Sequence, residues 1–383
     1  MPESQYISIT PITGAMLISS SVPEPDPYVG EVDWSSGTSY DQGDVVIRTT
    51  THRKYSSLRG ERYTVSISHA NPGVVALSEH GLEAGTAITF TNAGGALPAP
   101  LAAATPYYVV NPGQSSFQVS TTVDGEPIET TTDGSGTHTL VISTNQGKTP
   151  ENEPLYWFDE GPTNRWAMFD LALGTRTVAE DEITVVVAPG LIDSLAACEL
   201  VGDEASIVMS EGGYDETVNL DATQIYDYYP YFTRPFMQRS EFAKLDLGAY
   251  YAAETTFTVT GSGEVACGFF AVGLKTGIGL PLADGAAGGI DDYSEKTTAN
   301  GQSRFVEGPY ARDLELKGAL DDIQYNEVFQ LFARKRATPG VLVGVPDNPL
   351  YDWLISPGIA GSFKLLPQHP VQGYCVLTWK GLL

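Results

Sequence analysis

Cysteine is scarce in this chain of 383 residues. There are three, Cys198, Cys267 and Cys375, far apart and without a C-x-x-C pair. That excludes a disulfide framework and a thiolate zinc site as organising elements. The apolar neighbours (Ala196-Ala197-Cys198, Val265-Ala266-Cys267, Cys375-Val376-Leu377) mark each as a small buried hydrophobe. Cations are scarce as well: Lys plus Arg number 21 against 47 Asp plus Glu, a net charge of −26. So acidic a surface repels phosphate backbones and anionic membranes, so neither nucleic acid nor membrane insertion is expected. It leaves carboxylates available to divalent cations, although a solvated surface is their commoner fate. No apolar run approaches the roughly eighteen residues of a membrane-spanning helix, and no secretory leader opens the chain. Synthesis in a cytoplasm, without export by the usual signal route, is the expectation. That counts against a secreted lectin or glycosidase.

Catalytic motifs are missing too. There is no G-x-S-x-G, H-E-x-x-H or phosphate loop. The pairs Asp291-Asp292 and Asp321-Asp322 are neighbours in sequence, whereas glycosidases need carboxylates brought together in space. His80 has no cysteine or second histidine at a ligand spacing, and the glycine after it suggests a turn. The glycine-rich run from Ala283 to Tyr293 reads as a mobile loop and lacks the calcium-loop spacing. The chain is therefore expected to be no enzyme and to need neither cofactor nor metal.

What is present points to β-structure. Apolar residues make up 42%, an ordinary globular share, and Gly (40) and Pro (25) accompany many Thr, Val, Ile and Tyr. That mixture favours short strands and frequent turns. Strand patterns cover 63–68, 87–91, 107–110, 117–120 and 138–143, then 182–188, 205–209, 255–260, 266–272 and 374–382. Residues 326–337 differ. Val328, Phe329, Leu331 and Phe332 fall at helical spacing, Arg334, Lys335 and Arg336 in the last turn suit the helix dipole, and Pro339-Gly340 stops it. The expected fold is mainly β, with a β-sandwich or jelly-roll-like body and one or two short helices.

The chain is long enough for two or three domains. Residues 1–30 hold a short apolar stretch and then Val22-Pro23-Glu24-Pro25-Asp26-Pro27, an extended segment that fits an arm to a neighbouring subunit and a plain linker equally. Residues 63–144 contain no Lys or Arg. On either side of them lie W-x-x-G-T-x-Y-x-x-G-D-x-V from Trp34 to Val46, Y-x-S-L from Tyr55 to Leu58, then N-x-G-x-x-P from Asn145 to Pro150, and Trp157. These pieces resemble the three-stranded carbohydrate-binding modules of chitinases and cellulases, and their copies in bacteriophage tail proteins. The interrupting segment, with His80-Gly81-Leu82, a strand ending in Phe90, Leu97-Pro98, Tyr107-Tyr108-Val109-Val110-Asn111 and Phe117-Gln118-Val119-Ser120, resembles the HGL β-repeat of tailed-phage structural proteins. Gly161-Pro162-Thr163-Asn164-Arg165-Trp166-Ala167-Met168-Phe169-Asp170 resembles a signature of tailed-phage virion proteins. That family's later blocks appear as Val265–Gly273 and Gly289–Ser294. After the N-terminal arm or linker at 1–30, the resemblance implies a split module at 31–62 and 145–160, an inserted β-domain at 63–144 and a β-sandwich-like body at 161–383.

It also implies a virion part, made in the host cytoplasm and located in the tail or baseplate as a ring, sleeve or appendage subunit. Its partners would be copies of itself, other virion tail proteins and a host-surface glycan. Sugar binding needs flat aromatic faces beside polar groups, and the module resemblance supplies Trp34, Tyr40, Tyr55 and Trp157, with Asp44 fixing a turn beside Gly43. A second cluster, Tyr226, Tyr228, Tyr229 and Tyr231, suits an assembly interface and a strand's buried rings equally well. In the signature every residue has a structural use as a brace. The rival expectation is a polysaccharide-binding protein, or a module of a polysaccharide-degrading enzyme, that shares only modules with phage proteins.

Overall fold

A computed structural model of the chain describes residues 2–58, 61–142, 145–220, 228–233, 238–299, 302–306, 308, 310–346, 348–367 and 372–382. The fold is mainly β and divides into two compact units, Val29–Thr163 and the combination of Met1–Tyr28 with Asn164–Leu383.

The unit Val29–Thr163 contains two β-structures. Strands Trp157–Pro162, Arg53–Ser57 and Val45–Arg48 form a three-stranded antiparallel sheet, in that order. Its third strand comes about a hundred residues after the other two because a closed barrel is inserted between them. Among the described residues the barrel has six strands, running in space Thr137–Val141, Arg62–Ile67, Val75–Ala76, Ser116–Ser120, Tyr107–Val110 and Ala87–Ala93, then back to the first. Alternating apolar side chains produce it. Ile88, Phe90, Val109, Phe117, Val119 and Leu140 point inward and fill the interior. His80 sits in a turn there, its Nδ1 accepting from Leu82 N at 3.0 Å and its ring edge-on to Phe117 at 5.1 Å.

In the body, the described strands form one thirteen-stranded sheet around the 23-residue strand Thr255–Gly277. The first part of this strand lies between Thr177–Val187 and Glu204–Met209; the last part lies between Ser194–Val201 and Gln5–Thr10. The sequence pattern suggests two strands here, and a bulge joins them into one. Gly263, at φ +98, donates its N–H to the Asp181 carboxylate opposite. From Gln5–Thr10 the sheet continues through Gly340–Val343, Ile355–Pro367, Gln372–Gly381 and Tyr310–Asp321 to an edge at Leu280–Asp292.

The central strands are covered on both faces. Leu195, Ala197, Phe270 and Val272 join a cluster with Trp166, Met168 and Phe169, while Ala196, Cys198, Phe269 and Ala271 join another with Ile7, Val341 and Val343. Gly273 is required at this layer, since a Cβ there would lie 2.1 Å from the Ser8 carbonyl oxygen. Helix Gln324–Arg334 buries Val328 and Phe332, whose ring meets Phe363 at 4.9 Å; Phe329 remains half exposed. It begins two residues before the sequence pattern and ends three earlier, with Ala337 already at positive φ.

Two expectations are corrected. The segment 1–30 is no free arm or linker. Gln5–Thr10 is an inner strand with Tyr6 and Ile7 buried, and Leu17–Ser20 pairs with Thr177–Val187. Adjacent Tyr6 and Ile7 are both buried, in different core clusters, as befits an inner strand covered on both faces. The glycine-rich run after Ala283 is strand and not loop: it belongs to Leu280–Asp292, whose register shifts between Pro281 and Ala286.

Candidate functional site

In the three-stranded module, strand alternation determines which rings can meet a ligand. Val46, Tyr55 and Trp157 turn inward and pack with Tyr40 as the module's core, Trp157 only 2% exposed. Trp157 meets the Tyr40 ring edge-on at 5.3 Å, and its Nε1 donates to the Lys148 carbonyl at 2.9 Å. Tyr40, Tyr55 and Trp157, read from sequence as stacking rings, therefore have no free face. Trp34 is partly buried, and the Arg48 guanidinium lies 4.8 Å from its ring centre. Arg48 also makes two 3.0 Å hydrogen bonds to Glu151. Burial pushes the Glu151 carboxyl up, but the hydrogen bond from Arg48, a backbone N–H and the nearby charge outweigh it and hold it below its ordinary value.

The two halves of the module are joined by Asn145, which is fully buried. Its Nδ2 donates to the Tyr40 carbonyl at 2.7 Å and to Ser57 Oγ at 2.8 Å, and its Oδ1 accepts from Tyr40 N at 3.1 Å. This explains the asparagine of the N-x-G-x-x-P piece, while Gly147 (φ +73) turns the chain after it. Asp44 caps the turn at Gly43, accepting from Asp41 N at 2.7 Å.

The opposite face of the sheet carries a cross-strand row of Val45, Ser56 and Phe158. Phe158 is 56% exposed and Val45 is similarly open; Ser56 donates to Glu160 at 2.5 Å beside them. An open ring with a hydroxyl and a carboxylate alongside is the chemistry a sugar ring uses. Phe158 was missed from the sequence, although a period of two already requires that if Trp157 points in, its neighbour points out.

In the body, the tyrosine-rich stretch forms the short helix Tyr228–Thr233, with Tyr228 (84%), Tyr229 and Phe232 exposed. Tyr226 lies outside the described residues, and of Tyr231 only the backbone is described. The buried-strand alternative is thereby removed for Tyr228 and Tyr229.

The signature is a brace. Asn164 grips strand Thr177–Val187 by two bonds to the Val178 backbone, at 2.8 and 2.9 Å, and donates to Asp26 at 2.5 Å. Arg165 Nε donates to the Val22 carbonyl at 2.7 Å, and one guanidinium nitrogen lies 3.8 Å from a Glu24 carboxylate oxygen. Trp166, Met168 and Phe169 enter the core. Burial raises the pKa of all three thiols, Cys198, Cys267 and Cys375, which leaves them poor nucleophiles. Among the described residues no group of three His, Cys, Asp or Glu could hold a metal ion, and no helix is long and apolar enough to cross a membrane. No protein-family model matches the chain, and no curated protein or solved structure matches it.

Proposed function

We propose that this chain is a self-assembling structural subunit of a tailed-bacteriophage virion, serving in the tail or baseplate as a ring, sleeve or appendage part. Its partners are other copies and other virion tail proteins. The observation that carries this reading is where the aromatic residues lie. The body presents Tyr228, Tyr229 and Phe232 outward on one short helix, an aromatic surface typical of interface cores. The signature residues are occupied with bracing. The phage resemblance of the sequence supplies the setting. The test is electron microscopy of particles with this chain tagged, together with sizing of the purified protein. Tail density and a multimer are expected; absence from the particle refutes the assignment.

A second reading, contact with a host-surface glycan, is favoured by the outward row around Phe158. Retention on an insoluble polysaccharide that is lost in Phe158→Ala supports it. Retention by a monomer, with no assembly, favours the polysaccharide-binding rival. Passage of the wild-type protein straight through the column removes the glycan reading.

A further inference from the structure

A cleft of about 340 Å³ lies where the first strand of the body begins, and its lining includes Glu3, Gln5, Leu245, Asp246, Lys275 and Pro346. All belong to the unit that combines Met1–Tyr28 with Asn164–Leu383. Strand pairing brings two of them together. Gly277 lies opposite Gln5 and Lys275 opposite Ile7, so Gln5 and Lys275 share one face of the sheet. The absent side chain of Gly277 makes room for Glu3: a Cβ there would lie 2.5 Å from a Glu3 carboxylate oxygen. Each charged group is fixed by a neighbour. Glu3 Oε1 accepts from Gly279 N at 3.1 Å and from Gln324 Nε2 at 2.8 Å. Lys275 Nζ donates to the Leu245 carbonyl, and Asp246 Oδ1 accepts from the Tyr214 hydroxyl at 3.0 Å. These bonds leave capacity over. Among the described residues, Glu3 Oε2, Asp246 Oδ2 and Gln5 Oε1 accept no hydrogen bond, and the Lys275 ammonium uses one of its three donors.

The make-up of the lining selects a ligand class. Two carboxylates oppose a plain anion, and a plain cation would face the like charge of Lys275. A divalent metal needs more, since no group of three metal-ligating side chains gathers among the described residues. A sugar would want a flat ring to stack on, and the lining holds no aromatic side chain. Two carboxylates and one ammonium are complemented by two ammonium groups and one carboxylate. We propose that the cleft binds a small basic zwitterion of that kind, a free basic amino acid such as lysine. Its carboxylate sits on Lys275, its ammonium groups on Asp246 and Glu3, and its methylenes along Leu245 and Pro346. The net charge of −26 favours encounter with a ligand of net positive charge. Lys275 and Asp246 are exposed at the rim, so solvent weakens each ion pair. A dissociation constant on the order of 1–10 mM follows for about ten heavy atoms in an open site. The site is independent of the virion reading above.

The experiment titrates the full chain with three probes, followed by saturation-transfer NMR. L-lysine is expected to bind. Cadaverine, which lacks the carboxylate, and Nα-acetyl-lysine, which lacks one ammonium, should each bind at least threefold more weakly. Asp246→Asn keeps an oxygen for the Tyr214 hydroxyl and removes the charge, and it should weaken lysine at least threefold. Lys275→Gln should abolish the preference for lysine over cadaverine. Unchanged circular dichroism of both variants shows that these exposed substitutions leave the fold intact. Absence of lysine binding by the wild type overturns the proposal. So does equal binding of lysine and cadaverine by the wild type, or undiminished lysine binding by both variants, either of which reduces the signal to cations gathering on an acidic surface.

Discussion

Asn145→Ala tests whether the split module is closed by one buried amide. The substitution removes two donated bonds and one accepted bond, at 2.7, 2.8 and 3.1 Å, and leaves the Tyr40 N–H and C=O without those partners. Each buried backbone group so stranded costs about 1–3 kcal/mol, and the void left by a small side chain adds little. A loss of about 3–5 kcal/mol follows, borne by the module and not by the body, because Tyr40, Ser57 and Asn145 all belong to the unit Val29–Thr163. At 1.4 kcal/mol per tenfold, amide exchange between Tyr40 and Ser57 should accelerate at least a hundredfold. Peptide-resolved hydrogen exchange of the full chain measures this, since it reports local opening where a single melting temperature averages two units. Asn145→Asp should be worse than Ala, because a carboxylate would face the Tyr40 carbonyl with no proton to donate. Unchanged protection over residues 40–57 in Asn145→Ala, or equal loss in the body, refutes the reasoning.

Trp157→Ala should unfold the module, costing about 3–5 kcal/mol for a buried ring, and exchange should rise across Val45–Ser57 while strand Thr255–Gly277 keeps its protection. The Glu151 carboxyl sits below its ordinary value of 4.5 in the folded chain, so its contribution to stability is present above that range and is lost as pH falls through the depressed value. Acid titration followed by exchange in residues 29–58 should show the loss, and Glu151→Gln should remove it. Glu241→Ala leaves the Arg312 guanidinium without its carboxylate in a mostly buried setting. Chemical denaturation should register a loss of about 3–5 kcal/mol; Arg312→Ala with Glu241→Ala should recover part of it. Cys198, Cys267 and Cys375 should resist a thiol reagent until denaturant is added, and fast labelling of any one in the native protein would contradict its burial.

Much of the architecture was legible locally. The apolar, β-branched and aromatic run at 107–110 and the alternation at 205–209 marked strands, and the cation-free segment coincides with the barrel because a small closed interior needs apolar side chains and short turns. The site was less legible. Trp34, Tyr40, Tyr55 and Trp157 mark a module by type, but ring type does not tell which face of a sheet a ring occupies; three of the four hold the module together. Phe158 could have been assigned by counting outward from Trp157. The inner strand Gln5–Thr10 was hidden for another reason: its neighbours lie some 270 and 335 residues away, and no local pattern encodes so distant a pairing. The tyrosine stretch after Tyr226 carried two readings because its helix is only six residues long, too short for a 3.6-residue period to register.

That distant pairing has a consequence for how the chain is made. Synthesis proceeds at roughly 5–20 residues per second, so Gln5–Thr10 emerges roughly 20–70 s before Gly340–Val343, the strand that covers its second edge. The barrel needs nothing beyond Val141, and the three-stranded module nothing beyond Pro162. Val29–Thr163 can therefore be finished while the strand bearing Tyr6 and Ile7 still waits, open along its length. A nascent chain stalled after the module has emerged and before residue 340 would hold that module folded while the second edge of Gln5–Thr10 is still bare, a state in which neighbouring chains on one messenger are prone to pair wrongly.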